Sequence, residues 1–482
     1  MVLFMSLGIG VIKMKKTNKF ILIFSAMVLL SSCSTTKKAI TKVEFAASNY
    51  PWIFSSVRKD LVQGNLDDAI KENAHIGNAK QLENLNELET ARLLQLSNDF
   101  EGSIKNYNKA LNSVAKNEGE SLKQAKRIIL DKNTYNYYDI RTAYNIPDYA
   151  ISFLYTYQAL NYLKTNSIKE AQKSLDNLEI AKIWADQQDI ISDGMTYLAR
   201  KSLKRNDIVS ENLGLEDFKK LNKMLNFSDR IPNAYGNPMS YYLKSILDSA
   251  ISKDYKKSMK DLEKAQKYTV GNSYLIQSQS EYQAAINSET SPFPMGMGRV
   301  VVFYEQGLVN IRRSAEANLD LGDIGLRKIK LPVYSTNYNF FDPKKITITA
   351  GSQEVVDTYT ETLLDGTLFA MRSLIEAYSK IVTQNVVIEA FKQDIDKNFS
   401  LGGALGSTLK FDLSKTDPKR ADLRSWLLLP NSVDLFEQQI DSGNYIIQVN
   451  NIRQNIEVKQ GKTTLLWIVS IGKFNKVYYF II

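Results

Sequence analysis

The sequence predicts an α+β multidomain chain. A solenoid of helical hairpins occupies residues 51–290, and a β-rich, sandwich-like region with one long helix at 355–397 occupies 291–482. Three observations lead there. Helical patterns in the first half return at a fixed spacing. At Ser291 to Gly298 (SPFPMGMG) prolines and glycines end that pattern. Beyond it, short β-branched and aromatic runs alternate with glycine turns. With 482 residues, 44% of them hydrophobic and 23% charged, the chain has the composition of a folded protein with substantial cores.

The repeat is visible in single residues. Gln63 to Ile70 (QGNLDDAI) has a turn, then a small residue, Ala69, inside an apolar helical pattern. The same arrangement returns at Asn98 to Ile104, with Gly64 to Asn98 and Ala69 to Ser103 both 34 residues apart. A third copy, Asn166 to Ala171, lies 68 residues after the second, and a fourth, Asp254 to Met259, is out of phase. The small residues Ala69, Ser103, Ala171 and Ser258 let two helices cross closely. Leu66, Phe100, Ile168 and Tyr255, three positions earlier, fill the turn. This pattern resembles tetratricopeptide (TPR) repeats, whose hairpins stack to bury their apolar faces and leave a concave surface. Gly64 and the asparagines at the equivalent turns suit left-handed backbone.

Between the second and third copies stand Tyr135, Tyr137, Tyr138, Tyr144 and Tyr149. They read either as packing between helices or as a surface that grips a peptide or a sugar. Residues 205–240 hold two prolines, Pro232 and Pro238, and form a loop before the last hairpin.

The strand-rich half begins with Arg299 to Tyr304, stopped by Gly307. Lys328 to Val333 and Ile346 to Ala350 are further strands. The glycine-rich run Leu401 to Ser407 lacks both a preceding strand and a following Lys-Ser/Thr, so it reads as a flexible loop rather than a phosphate cradle. Strands at 433–437, 445–449, 455–459, 463–469 and 476–482, with Gly443, Gly461 and Gly472 in the turns, predict a small antiparallel sandwich. Trp426, just ahead of them, is placed to close one end of it, with Arg424 and Pro430 structural beside it.

The N-terminus gives the protein an address. Lys13, Lys15, Lys16 and Lys19 precede about a dozen apolar residues from Phe20, ending in small residues and a cysteine. Leu30-Ser31-Ser32-Cys33 resembles the lipobox of bacterial lipoproteins. That resemblance makes 1–33 a signal peptide with its lipobox cysteine. It implies that Cys33 carries palmitate-type acyl chains and becomes the mature N-terminus, with 34–50 as a tether. Ser34, rather than Asp, follows Cys33, which points to the outer membrane, facing the periplasm. Met14 reads as the start, residues 1–13 being a start-site artefact; a longer leader from Met1 or Met5 is the competing reading. Removing residues 1–32 takes away four lysines and no acid, lowering the formal charge from +9 to +5. No basic block tracks a phosphate backbone, so nucleic acid is not expected.

The chain has one cysteine, Cys33, and one histidine, His75. No disulfide and no free thiolate remain in the mature protein, and no imidazole-based metal site is expected. No cofactor is expected either. Catalysis would have to use carboxylates, a Ser–Lys pair or a metal held by oxygens, and no spaced motif supports any of them. A non-enzyme is therefore the first reading.

Ala159 to Leu163, Asn237-Pro238 with Tyr242-Leu243, Gly298 to Gly307 with Tyr304-Glu305, and Ala421 to Trp426 with Leu429-Pro430 carry a wider resemblance. By these the chain resembles a family of bacterial lipoproteins with TPR-like helices and a C-terminal β-rich region. The resemblance implies a cell-envelope protein. Through genes that neighbour activators of penicillin-binding proteins, it implies a link to peptidoglycan synthesis. It assigns no functional residue. The expectation is an outer-membrane scaffold that binds a periplasmic or outer-membrane protein. The alternative is a lipoprotein that binds peptidoglycan or another glycan on its tyrosines and Trp426. A carboxylate-based envelope enzyme comes third.

Overall fold

The computed structural model describes residues 43–76, 82–125, 144–178, 223–224, 226–269, 271–320, 326–335, 342–377, 381 and 421–482. Cys33 with its leader, most of the tether, Tyr135, Tyr137, Tyr138 and the glycine run 401–407 lie outside them. The chain is α+β, helices mainly N-terminal and strands mainly C-terminal.

After two short helical turns at Val43–Ser48 and Tyr50–Ile53, the helices pair as hairpins. They are α1 (Ser55–Gln63) with α2 (Leu66–His75), α3 (Glu83–Leu96) with α4 (Phe100–Ala125), α5 (Asp148–Lys164) with α6 (168–178), and α7 (Pro238–Ser252) with α8 (Tyr255–Tyr268). Helix α9 (Ser273–Ser288) follows.

The sequence spacing is also a spacing of turn geometry. Gly64, Asn98 and Asn166 have φ of 91°, 71° and 58°. In each turn that residue donates three residues back, to Leu61, Gln95 or Leu163 (3.0–3.2 Å). The next residue, Asn65, Asp99 or Ser167, donates five back, to Asp60, Leu94 or Tyr162 (2.8–2.9 Å). This pair of bonds closes the carbonyl end of a helix. The second helix then opens identically, with Ala69, Ser103 and Ala171 donating four residues back. Ala69, Ser103, Ala171 and Ser258 are all fully buried, as crossing positions require.

Among the described residues eleven strands follow: β1 (Met297–Gln306), β2 (Arg312–Asp320), β3 (Leu326–Tyr334), β4 (Lys345–Ala350), β5 (Gln353–Tyr359), β6 (Glu361–Asp365), β7 (Ser432–Asp441), β8 (Gly443–Val449), β9 (Ile452–Val458), β10 (Thr463–Ile471) and β11 (Phe474–Ile481). They form a five-stranded sheet ordered β11-β10-β1-β7-β6, a four-stranded sheet ordered β5-β4-β8-β9, and a ribbon of β2 and β3.

Strand alternation sorts the layers. From β1, Phe303 reaches Tyr242 of α7 (5.7 Å between ring centres) and Arg299 reaches Tyr282 of α9 (3.1 Å). The opposite face meets the four-stranded sheet. Thr464 donates to the carbonyl of Glu457 at 2.7 Å, and a Cβ at Gly298 would lie 2.3 Å from the Lys459 carbonyl oxygen. The order is therefore helices, central sheet, outer sheet, and both halves of the chain share one hydrophobic core.

Two expectations need correction. The helix expected over 355–397 begins only at 366, as α10 (366–377). Residues 355–359 and 361–365 belong to β5 and β6, where Val355, Val356, Thr358 and Thr362 favour a pleated, half-buried strand. Asp365 marks the true start: its carboxylate accepts the Leu368 N–H at 2.9 Å, as a helix cap does. The last five strands do form. They are dealt into two sheets rather than one small sandwich, and β10 lies parallel to β1, in register from Arg299 with Thr463 to Gln306 with Ser470.

Candidate functional site

Three places were candidates: the concave face of the hairpins, the tyrosines with Trp426, and any open hollow. The chain itself fills the first. Helices α1, α3, α5 and α7 turn towards the central sheet and towards residues 424–430, which cross in front of them without regular structure. Arg58 of α1 donates to the carbonyls of Leu427 (2.8 Å) and Val309 (3.0 Å). Glu89 of α3 accepts the N–H groups of Leu427 (2.6 Å) and Leu428 (3.2 Å). A buried segment outside any sheet must satisfy its backbone in this way.

Beside it a polar chain runs from the sheet into the helices. Trp467 Nε1 donates to Glu305 at 2.9 Å, Glu305 pairs with Arg92, and Arg92 donates to Gln95 at 2.7 Å. Gln95 donates to Asn161 at 2.7 Å, and Asn161 to Ser103 at 2.8 Å. Burial opposes the charge on Arg92, but Glu305 overrides it and holds the guanidinium above its usual range. Burial pushes Glu89 up to about 8, against its two backbone donors and Arg58. Glu437, fully buried next to Ser278 and 3.0 Å from Arg299, is also pushed up by burial. These perturbed groups are sealed by packing.

Of the aromatic residues singled out from the sequence, those among the described residues are sealed too. Tyr144 and Tyr149 are buried. Trp426 is 0% exposed and stands edge-on to Tyr107 of α4 (5.9 Å) and Tyr157 of α5 (6.0 Å). It anchors the 424–430 segment to the helices instead of closing a sandwich. Arg424 beside it holds Asp422 at 2.8 Å, and a Cβ at Gly366 would strike the Pro430 carbonyl at 2.1 Å. None of these offers a sugar platform.

Among the described residues, two open hollows lie on the opposite flank, on either side of Tyr274. One, of about 600 Å³, is lined by Ser273, Asp342 and the end of β5 with Thr360 and Glu361. The other, of about 400 Å³, lies between residues 355–358 of β5 and 438–441 of β7, with Met297. Tyr274 donates to the Tyr359 carbonyl at 2.5 Å, and the Tyr359 ring itself is 57% exposed. Glu361 crosses to α9 and accepts the Ser273 N–H at 2.6 Å. Just behind, buried Asp434 accepts from Thr360 at 3.0 Å and Gln306 at 2.5 Å, and burial pushes it up to about 6.

Sequence reasoning missed both Glu89 with Arg92 and the flank. For the first pair a signal exists: both sit in a helix half of whose other residues are leucine or alanine, and they share its buried faces. For the flank there was none, because it joins β5 and β7, which are far apart in the chain. Among the described residues no group of three or more His, Cys, Asp or Glu is placed to hold a metal ion. Comparison with protein-family models, with curated proteins and with solved structures finds no match to this chain.

Proposed function

We propose that this chain is a lipid-anchored, periplasm-facing protein of the outer membrane that acts as an interaction scaffold in the cell envelope. The observation that carries the binding half of this reading is the flank at Tyr274. Its hollows are open and border strand edges, while Glu89, Arg92, Glu305 and Glu437 lie under packed side chains. The membrane half rests on the lysine-flanked apolar leader and on Cys33, which lies outside the described residues. Two or three acyl chains hold a protein far more firmly than the single chain that binds only marginally. The hairpins are read as TPR-like repeats on the strength of three identical turns at the 34-residue spacing and its multiple. In this reading the repeats no longer offer their concave face to a partner; they grip the β-rich half, and the partner docks elsewhere.

The test is in cells. A photo-reactive residue at Val355 should capture a protein of the envelope, and Cys33→Ser should leave the protein unacylated and out of the membrane fraction. Unchanged fractionation and mass in Cys33→Ser would remove the anchor. Capture of peptidoglycan fragments at Val355 would favour the glycan alternative, whose platform is then Tyr359 rather than Trp426.

A further inference from the structure

We propose that the slot between β5 and the outer half of β7 receives an extended, basic segment of a partner protein as an added β-strand. This names the partner chemistry of the scaffold reading above and rests on it.

The slot has an unpaired strand on each side. Among the described residues, strand β5 is the outermost strand of its sheet and is bonded only to β4. Thr360 donates to the Lys344 carbonyl at 2.8 Å, which fixes the alternation of the ladder. Thr358 then faces β4, and Asp357 and Tyr359 turn their backbone groups outward. The bond from Tyr274 to the outward carbonyl of Tyr359 agrees. On the other side, β6 covers β7 only from Ser432 to Leu435. Beyond Leu435 no strand lies on that side among the described residues. Val433 and Leu435 face β6, so Glu437, Gln439 and Asp441 turn their backbone groups the same way, towards the slot. Exposed edges of this kind are usually covered or blunted, because they template pairing with another chain.

The lining says which chain. The two hollows hold four carboxylates, Asp342, Asp357, Glu361 and Asp441, and no lysine or arginine. The whole protein is basic, with 61 Lys and Arg against 52 Asp and Glu, so an acidic lining runs against its composition. Lys345 pairs with Asp357 at 3.0 Å and Ser273 binds Glu361, which leaves Asp342 and Asp441 facing solvent as the less committed charges. Apolar side chains stand exposed between the carboxylates: Val355 at 41% and Tyr359 at 57%, with Met295 at 88% two residues before the lining Met297. An extended peptide alternates its side chains between two sides. Val355, Asp357 and Tyr359 are two apart and share one face of β5, so a basic residue with apolar ones two positions to either side matches that face. Backbone hydrogen bonds to the edge groups still open supply the rest, the carbonyls of Tyr359 and Asp441 being taken by Tyr274 and Tyr445.

The probe is a fluorescent peptide of sequence Val-Thr-Lys-Thr-Val-Thr-Lys, whose valines and lysines share one face, added to the intact protein, against the same peptide with glutamate in place of lysine. The expected result is that the lysine peptide binds at least tenfold more tightly and weakens as salt rises. Asp357→Pro deletes an outward N–H at an edge position where proline is tolerated. It should weaken binding at least tenfold while circular dichroism and the melting temperature stay close to wild type. Should that variant fail to fold, the charge reversal Asp441→Lys replaces it and should narrow or invert the preference between the peptides. No binding of the lysine peptide, equal binding of both, or full affinity in a folded Asp357→Pro protein overturns the proposal. Protein capture at Val355 that survives Asp357→Pro would spare the scaffold and remove the added strand. Absence of any captured protein would remove the scaffold itself.

Discussion

At the scale of single residues, the buried charges and one indole hold the irregular segment 424–430 against the helices. Trp426 makes edge contacts with two tyrosines and is fully enclosed, so truncation leaves a large cavity. Trp426→Ala is expected to cost about 3–5 kcal/mol in urea unfolding of the whole chain. If it lowered partner capture without lowering stability, the ring would be a contact residue after all. Glu89 gives a pH signature. Its folded pKa of about 8 is above the usual carboxyl value of 4.5, because burial disfavours the charge. A raised pKa means that the folded state holds its proton longer. Its contribution is then fully present below the unfolded pKa and lost as pH rises through the folded one. Stability should therefore fall between about pH 5 and about pH 8. Glu305 and Glu437 shift the same way, so the slope has several sources. Glu89→Gln should flatten the curve by its own share, read as urea midpoints across that range. An unchanged slope would show that Glu89 stays ionised in the fold.

At the scale of elements, the hairpins were legible because their information is local. A small residue at the crossing, an apolar residue three before it and a left-handed turn residue all lie within about ten positions, and all recur. The register is testable at the third copy. Ala171 is fully buried and Lys169 is exposed. Ala171→Leu should cost about 1–3 kcal/mol by overpacking, whereas Lys169→Leu should stay within about ±0.5 kcal/mol. Equal effects in urea unfolding would break the register. The strands after Trp426 were legible for the same local reason, through alternation and turn glycines. The long helix at 355 was misplaced where two local signals competed. Apolar and β-branched residues run on from Val355 into Leu363 and Leu364, and a helical period fits them loosely. What decides is the partner strand: Ile346 and Ile348 of β4 pair with Thr358 and Val356, and Val433 of β7 pairs with Leu364. Those partners lie outside any local window. For the same reason the flank at Tyr274 was invisible, since β5 and β7 meet there across about eighty residues of chain.

At the scale of the molecule, the division into a helical domain and a β domain dissolves in the packing. The sequence boundary near Ser291 is real as a change of secondary structure, but no layer of solvent follows it. Arg92 of α3 pairs with Glu305 of β1, Tyr478 of β11 donates to the carbonyl of Gln95 at 2.8 Å, and Ser278 of α9 bonds Glu437 of β7. Each bond joins a helix to the central sheet across a dry seam, where an uncompensated charge is costly. Neither half keeps its partners if the other leaves, so the two should unfold together. Helix content by circular dichroism reports the hairpins, and tryptophan fluorescence is weighted towards buried Trp426 and Trp467 at the seam. The two urea curves should coincide. Arg92→Met should lower both midpoints alike, by about 3–5 kcal/mol, because it leaves Glu305 buried without its counter-charge. Adding Glu305→Gln to that variant should recover part of the loss, since the stranded charge is then gone. Two separate transitions in the wild type, or an Arg92→Met effect confined to one probe, would show that the halves are independent bodies that merely touch. The helices would then be free to release the β-rich half and to offer their concave face to another protein.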